Sequence, residues 1–100
     1  MADPTLFRFK VRRPYGRAVV ELEVYGDGDF MYAGIKRLKG RIDLKPKRWL
    51  KVVRGHIHRI ERIVKSSGCC ELRVAGRSWK RILPEYEPYD GVPNGLRKVL

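Results

Sequence analysis

Hydrophobic and polar residues alternate in two runs near the start of the chain, at 7–12 and at 17–25. A period of two is typical of a strand that buries one face and exposes the other. The residues between the two runs, Arg-Pro-Tyr-Gly at 13–16, favour a turn. The pattern therefore predicts a β-hairpin whose first strand has basic residues on its outer face.

The length of this turn also predicts the register of the hairpin. A four-residue loop places Arg12 opposite Arg17 and Arg8 opposite Glu21. The second pair has opposite charges on neighbouring strands, so part of the outer charge is expected to be compensated within the sheet.

Two further strands are predicted after the hairpin. Gly-Asp-Gly-Asp at 26–29 favours a turn, and the run at 30–37 has the aromatic content of a third strand. Residues 38–40 are predicted to turn the chain into a short fourth strand at 41–44. We interpret the two acids at 26–29 as turn formers and not as metal ligands, because Asp side chains commonly hydrogen-bond their own backbone. Residues 6–44 are thus expected to form a four-stranded antiparallel sheet.

The helical period begins at 46 and continues to 66. Pro46 suits the first position of a helix, where the missing N–H has no intrahelical partner. Apolar residues then recur at spacings of three and four and form one stripe. The stripe consists of Leu50, Val53, Ile57, Ile60 and Val64. It is predicted to pack on the sheet, against the same helix of a second subunit, or both, and the second arrangement predicts a homodimer.

The last third of the chain is predicted to be a small hairpin at 69–83 and an extended tail at 84–100. Alternating apolar residues indicate the hairpin, and three prolines indicate the tail. The predicted fold class is α+β, with a four-stranded antiparallel sheet, one long helix, a second hairpin and a tail. Residues 1–83 are expected to form one domain.

Positive charge is concentrated in the middle of the chain. The sequence contains 23 Lys and Arg residues against 11 Asp and Glu, for a formal net charge of +12. The segment 35–65 contains 12 of the basic residues and 2 of the acidic ones, so it contributes +10 of that charge. A polyanion is the commonest reason for a folded domain to hold so many like charges together. Nucleic acid is therefore the expected partner.

The predicted strands place basic and aromatic side chains on one face of the sheet. Lys and Arg neutralise phosphates, and aromatic rings stack on unpaired bases at about 1–3 kcal/mol per base. This combination favours single-stranded DNA, with RNA as a second possibility, because the long helix uses its apolar stripe for packing and not for base reading. The candidate binding residues are Arg8, Lys10, Arg12, Arg13, Tyr15, Arg17, Tyr25, Tyr32, Lys36, Arg37, Lys39 and Arg41.

Groups suited to catalysis or metal binding are sparse. His56 and His58 lie about 200° apart around a helix, so they cannot chelate one metal together. No nucleophile elbow or phosphate-cradling glycine loop is recognisable. Cys69 and Cys70 are adjacent and cannot form an unstrained bridge, so one of them is expected in the core. We expect a protein that is not an enzyme and uses no cofactor.

The sequence also bears on location. No apolar run approaches the roughly 18 residues that span a bilayer, and the N-terminus lacks the features of a secretory signal. We expect a cytoplasmic protein without a membrane partner, associated with the nucleoid if the source is a prokaryote. Glutamine is absent while Arg, Lys, Val and Ile are abundant, a bias that is typical of heat-adapted proteins.

Two segments carry a resemblance to a known family. The first is VRRPYGRAVVELEVY at 11–25, and the second is KGRIDLKPKRW at 39–49. Both segments resemble the positive cofactor four family of transcriptional coactivators. The first segment resembles the first hairpin of the family. The second resembles its last strand, which leads through Leu-x-Pro-x-x-Trp into the helix. Members of this family bind single-stranded DNA and are related in fold to the Whirly proteins. The two segments lie within residues 7–65.

The resemblance implies a homodimer formed through the helices, with curved sheets that make basic channels for DNA strands. Arg12, Arg17, Lys39 and Arg41 match basic sites of the family. The chain departs from the family pattern at three positions. Pro14 followed by Tyr15 replaces the aromatic residue of the turn, Gly26 follows Tyr25 where the family has an aromatic residue, and Lys45 replaces the helix-capping Asn.

The predicted function is thus that of a dimeric, non-enzymatic protein that binds single-stranded DNA in transcription, replication or repair. Three alternatives remain open from the sequence. The first alternative is an RNA-binding or chromatin-coating protein. The second is a protein-interaction scaffold whose charge supports thermostability. The third, ranked last, is a nuclease.

Overall fold

The computed structural model describes residues 5–27, 30–76 and 78–100. They form one helix and one sheet of six strands, in the order β1-β2-β3-β4-β6-β5. The elements along the chain are β1 (Thr5–Arg13), β2 (Gly16–Asp27), β3 (Phe30–Ile42), α1 (Pro46–Ser66), β4 (Glu71–Val74), β5 (Glu87–Pro88) and β6 (Leu96–Val99). The α+β class is confirmed, but the sheet is mixed because β4 runs parallel to β3.

The first hairpin has the predicted register. β1 and β2 pair antiparallel, with Arg12 opposite Arg17 and Arg8 opposite Glu21. A short turn fixes the register of the strands it connects, so these pairs could be predicted from local sequence alone. The predicted Gly-Asp-Gly-Asp turn at 26–29 includes residues 28 and 29, which lie outside the described residues.

The predicted third and fourth strands are one continuous strand. β3 pairs with β2 along its whole length, and a single irregularity in the register occurs at Glu21 and Leu22. The prediction of a turn at 38–40 was wrong because Gly40 adopts an extended backbone that continues the ladder opposite Ala18. The twelve residues of β2 pair with twelve of the thirteen residues of β3, and a turn at 38–40 would leave backbone groups unpaired.

Helix α1 has the predicted bounds and packs on the sheet of its own chain. The predicted stripe is buried at Val53, Ile57, Ile60 and Val64, while Leu50 is half-buried. The four buried residues of the stripe join one apolar cluster with Val20, Leu22, Ala33, Leu72, Val74 and Leu96 of the sheet. The stripe that was predicted to serve packing, dimerisation or both is thus used for packing within the chain.

The C-terminal third differs most from its prediction. Among the described residues of the predicted hairpin, 69–76 and 78–83, only Glu71–Val74 is a strand, and it pairs with β3 and with β6. The predicted extended tail completes the sheet, since β6 pairs with β4 and β5 pairs with β6. The physical reason is burial, because Trp79, Leu83 and Tyr86 are at most 2% exposed.

The adjacent cysteines are free, and Cys69 is buried in the core as predicted. Burial, and then the neighbouring Cys70, raise the pKa of the Cys69 thiol. Across the described ranges 5–27, 30–76 and 78–100, no helix combines the length and the apolar character needed to cross a membrane.

Candidate nucleic-acid interface

The two faces of the sheet have different surroundings. Helix α1 lies against one face, where the apolar residues of β2 and β3 are buried. No element of the described chain covers the other face, which we call the open face. Side chains alternate between the faces along a strand, so the basic residues of β1, β2 and β3 that alternate with the apolar ones share the open face.

One end of the open face carries cations in two cross-strand rows. Arg12, Arg17 and Arg41 lie directly opposite one another on β1, β2 and β3. In the next row, Lys10 and Lys39 lie on either side of Val19. These five exposed cations, which we call the arginine end, are Lys10, Arg12, Arg17, Lys39 and Arg41. Among the residues that the structure describes, only Arg41 has an ion-pair partner, Asp43 at 2.8 Å.

Two glycines allow the strands to approach closely beside the arginine row. Gly16 has φ +156° and Gly40 has φ +157°. A Cβ atom on Gly16 would lie 2.1 Å from the carbonyl oxygen of Arg41, and one on Gly40 would lie 2.3 Å from that of Arg17. No side chain fits at these distances. The two glycines therefore permit the close approach of β2 and β3 on either side of the Arg17–Arg41 pair.

A depression of about 520 Å³ lies at the arginine end and includes Tyr15 of the first turn. The backbone N–H of Asp43 donates a hydrogen bond to the carbonyl oxygen of Tyr15 at 2.7 Å, which ties this turn to the residue after β3. The depression is lined by Arg12, Arg13, Pro14, Tyr15, Gly16, Arg17, Arg41 and Asp43. One half-buried ring thus lies among four guanidinium groups.

The middle of the open face contains two acids that pair with two of its three cations. Arg8 donates a hydrogen bond to Glu21 at 2.8 Å, and Lys36 pairs with Glu23 at 3.0 Å. The hydrogen bond from Arg8 lowers the pKa of Glu21 despite its burial, and the charges of Arg37 and Lys36 lower it further. We call Arg8, Glu21, Glu23, Lys36 and Arg37 the carboxylate centre.

The opposite end of the open face is aromatic. The rings of Tyr25 and Tyr32 stack with centroids 5.2 Å apart, and those of Phe30 and Tyr32 are 5.7 Å apart. Arg73 lies over the Tyr32 ring at 3.9 Å. Tyr25, Phe30 and Tyr32 form what we call the aromatic end. Phe30 is 40% exposed and offers the most accessible ring of the three.

The twelve predicted binding residues therefore separate into groups. Lys10, Arg12, Arg17, Lys39 and Arg41 form the arginine end, and Tyr15 joins them in the depression. Arg8, Lys36 and Arg37 belong to the carboxylate centre, while Tyr25 and Tyr32 belong to the aromatic end. Arg13 is exposed and also lines the depression, and it donates a hydrogen bond to the carbonyl oxygen of Arg12 at 2.8 Å.

Sequence reasoning did not include the cations that β4 and β6 add to this face. Arg73 and Arg97 lie opposite each other and both bind Glu71, which is 2% exposed, at 2.5 Å and 3.2 Å. The guanidinium of Arg73 is also 5.2 Å from the ring centroid of Tyr89. The alternation of apolar Leu72 and Val74 around Arg73 could have indicated that Arg73 lies on the face opposite the core. Arg97 lay in the segment that was interpreted as a tail.

A second group of ionisable residues lies on the helix side of the molecule. Glu61 is 7% exposed and accepts hydrogen bonds from Tyr86 at 2.5 Å and Lys98 at 3.0 Å, and His58 lies 3.1 Å away. Burial raises the pKa of Glu61, but these hydrogen bonds outweigh it and lower the pKa overall. Burial and the hydrogen bond to Glu61 raise the pKa of Tyr86. The group ties α1 to the C-terminal segment.

His58, Glu61 and Glu85 have ligand atoms within 4.8 Å of one another, a spacing that suits a metal ion. Lys98 already lies 3.0 Å from Glu61, and Arg54 lies 3.6 Å from Glu85. Two cations compensate these carboxylates, so the group is better explained as an ion-pair network than as a metal site. Both histidines, His56 and His58, are half-buried.

No protein-family model matches the chain, and no curated protein or solved structure matches it. The resemblance of residues 11–25 and 39–49 to the positive cofactor four family stays a prediction from the sequence.

Proposed function

We propose that the protein is a non-enzymatic binder of single-stranded DNA and that the open face is its binding surface. The arginine end binds phosphates, while Tyr15 and the aromatic end stack on bases. The observation that carries this proposal is the row of three arginines, Arg12, Arg17 and Arg41, directly opposite one another on neighbouring strands.

Like charges that face each other across strands destabilise a sheet. The carboxylate centre shows that the same strands can place an acid between cations, since Glu21 lies between Arg8 and Arg37. The arginine end has no such acid between its strands, and Asp43 after β3 pairs with Arg41 alone, so a partner outside the chain compensates the other four cations. A phosphate backbone supplies negative charge at regular intervals, and its binding releases counterions.

The shape of the surface favours a single strand over a duplex. Exposed stacking surfaces are useful only when bases are unpaired, and Phe30 and Tyr15 provide rings at opposite ends of one face. Arg17 and Tyr25 are eight residues apart on β2, which corresponds to about 26 Å along the strand. An extended strand of several nucleotides can contact cations and rings together.

Fluorescence anisotropy with a labelled single-stranded oligonucleotide and its duplex, each at two salt concentrations, tests this proposal. We expect tighter binding to the single strand and a steep loss of affinity with salt. Equal or tighter binding to the duplex contradicts it, and an RNA strand of the same sequence tests the choice between DNA and RNA. A role of the protein in transcription, replication or repair stays a prediction.

A second candidate function is the coating of duplex DNA through the outer side of α1. Lys51, Arg59, Arg62 and Lys65 are exposed on that side, and the structure gives none of these four an ion pair among its described residues. A helix cylinder with cations on one side suits contact with the phosphates of a duplex. In the same titration, this function predicts duplex affinity that depends on Lys51 and Arg62 and not on Arg17.

A homodimer also stays a proposal. The predicted stripe is buried within the chain, so a second copy would have to contact other apolar residues, such as Leu6 at 52% exposure and Phe7 at 41%. Light scattering at micromolar concentration tests it, since a particle of 11.7 kDa is the monomer.

A further inference from the structure

An apolar groove separates α1 from the sheet where β1, β2 and β3 continue beyond the main core. Its volume is about 260 Å³. Phe9, Val11 and Ala18 line it from the sheet, and Trp49, Ile60 and Ile63 line it from the helix. Its apolar lining belongs to the helix side of the sheet and not to the open face, although Lys10 and Lys39 of the arginine end also contribute to the lining.

The dimensions of the groove favour a single chain over a secondary-structure element. The lining residues extend along α1 from Trp49 to Ile63, a distance of about 21 Å at 1.5 Å per residue. Pockets that bind drug-sized ligands are typically about 300–1,000 Å³. The groove lies just below this range, so it suits one slender ligand such as an extended hydrocarbon chain.

The chemistry of the walls argues against a nucleobase as the occupant. Val11, Ala18, Ile60 and Ile63 offer no side-chain hydrogen bonds, and the polar edges of a base would lose their water partners there. A hydrocarbon chain has no hydrogen bonds to water to lose, and the burial of each methylene contributes favourable binding free energy.

The charge around the groove favours an anionic head group. No acidic residue lines the groove among the described residues, whereas Arg59 and His56 do line it. Burial lowers the pKa of His56, and the positive charges of Arg13 and Arg59 lower it further. The region at one side of the groove is thus positive, which also disfavours a second copy of this strongly basic chain as the occupant.

We propose that this groove binds one unbranched acyl chain with an anionic head group, and that the head group pairs with Arg59. A fatty acid carboxylate is the simplest ligand of this class. The chain lies between Phe9 and Val11 of β1 and Ile60 and Ile63 of α1, and the carboxylate stays at the solvent edge beside Arg59.

Intrinsic fluorescence reports directly on this site, because both tryptophans of the chain, Trp49 and Trp79, line the groove. The full chain is titrated with octanoate, decanoate and dodecanoate below their micellar concentrations. We expect a saturable change in emission with one ligand per chain. Affinity should rise about fourfold per added methylene, as the 0.8 kcal/mol of burial per methylene implies. Affinity that does not depend on chain length contradicts the proposal.

The head group is tested with dodecyltrimethylammonium, which has a similar chain and the opposite charge. We expect it to bind at least about tenfold more weakly than dodecanoate. Equal affinity for the two amphiphiles overturns the assignment of an anionic ligand. Butanoate, which has the charge without the chain, should produce no saturable change.

Two variants locate the site. Arg59→Gln should weaken dodecanoate binding about five- to tenfold, and the matched control Lys51→Gln, exposed on the same helix but outside the groove lining, should not. An equal loss in both variants shows attraction by net charge alone and overturns the site. Ile63→Glu changes a wall residue that is 38% exposed, so folding should persist while binding of dodecanoate is abolished.

Discussion

The arginine end and the carboxylate centre lie on the same three strands and contain the same types of basic residue. They differ at β2, which contributes Arg17 and Val19 to the first region and Glu21 and Glu23 to the second. Where β2 contributes a glutamate, Arg8 of β1 and Lys36 of β3 find a partner inside the sheet. Where β2 contributes Arg17, three guanidinium groups face one another.

This difference separates charge that supports the fold from charge that remains for a partner. Counting Lys and Arg along β1, β2 and β3 would give both regions equal importance. Ion-pair distances show that Arg8 and Lys36 are already engaged at 2.8 Å and 3.0 Å. Lys10, Arg12, Arg17 and Lys39 have no ion pair within the described chain, so the proposed function rests on them and on Arg41. The experiments below change one region and leave the other intact.

The largest effect is expected when the arginine row is removed. The triple variant Arg12→Gln, Arg17→Gln, Arg41→Gln should bind a single-stranded oligonucleotide on the order of 100-fold more weakly at low salt, since three phosphate contacts are lost. Anisotropy measures this loss. The matched control replaces three helix cations, Lys51→Gln, Arg62→Gln and Lys65→Gln, and a similar loss there would place binding on α1.

The next effect concerns the glycines that position the row. Gly40→Ala should destabilise the protein by about 2–3 kcal/mol, because the new methyl group would lie against the carbonyl oxygen of Arg17. Chemical denaturation measures the change. Gly26→Ala, on the neighbouring strand β2, is the control, since a Cβ at Gly26 meets nothing within 4 Å. Similar stability for the two variants contradicts the close approach.

A smaller effect is expected when the carboxylate centre is opened. Glu21→Gln frees Arg8 and removes negative charge near Arg37. We expect affinity for single-stranded DNA to rise about two- to threefold and the thermal midpoint to fall. Unchanged affinity would mean that the DNA does not reach the centre of the open face.

The smallest effect is a dependence of stability on pH. The folded-state pKa of Glu21 lies below its ordinary value of 4.5, so its contribution to stability is present above that value. It is lost as pH falls through the folded pKa. Between pH 6 and pH 3, the wild-type protein should lose more unfolding free energy than the Glu21→Gln variant. Parallel curves for the two proteins would show that Glu21 contributes nothing.

Local sequence was sufficient to predict the first hairpin and the helix. The turn at 13–16 set the register of β1 and β2, and the period after Pro46 marked α1. The C-terminal third could not be predicted in this way, because its order depends on distant contacts. Tyr86 donates to Glu61, which lies 25 positions earlier, and β4 pairs in parallel with residues 32–34 of β3.

For the candidate site, too, local sequence could not predict the properties that depend on contacts between strands. Alternation along the strands predicted which basic residues share a face, and the structure places Arg12, Arg17 and Arg41 together as that pattern requires. Alternation did not show which cations are neutralised or that Tyr25 and Tyr32 stack on each other. Those properties depend on side chains from neighbouring strands, including Arg73 of β4.

The salt dependence of binding tests the central claim most directly. For a single strand, the slope of log affinity against log salt changes by about 0.7 for each phosphate contact. If Arg12, Arg17 and Arg41 each neutralise a phosphate, the triple glutamine variant should show a slope shallower by about 2 than the wild-type protein. An unchanged slope would show that the arginine end does not contact the DNA backbone.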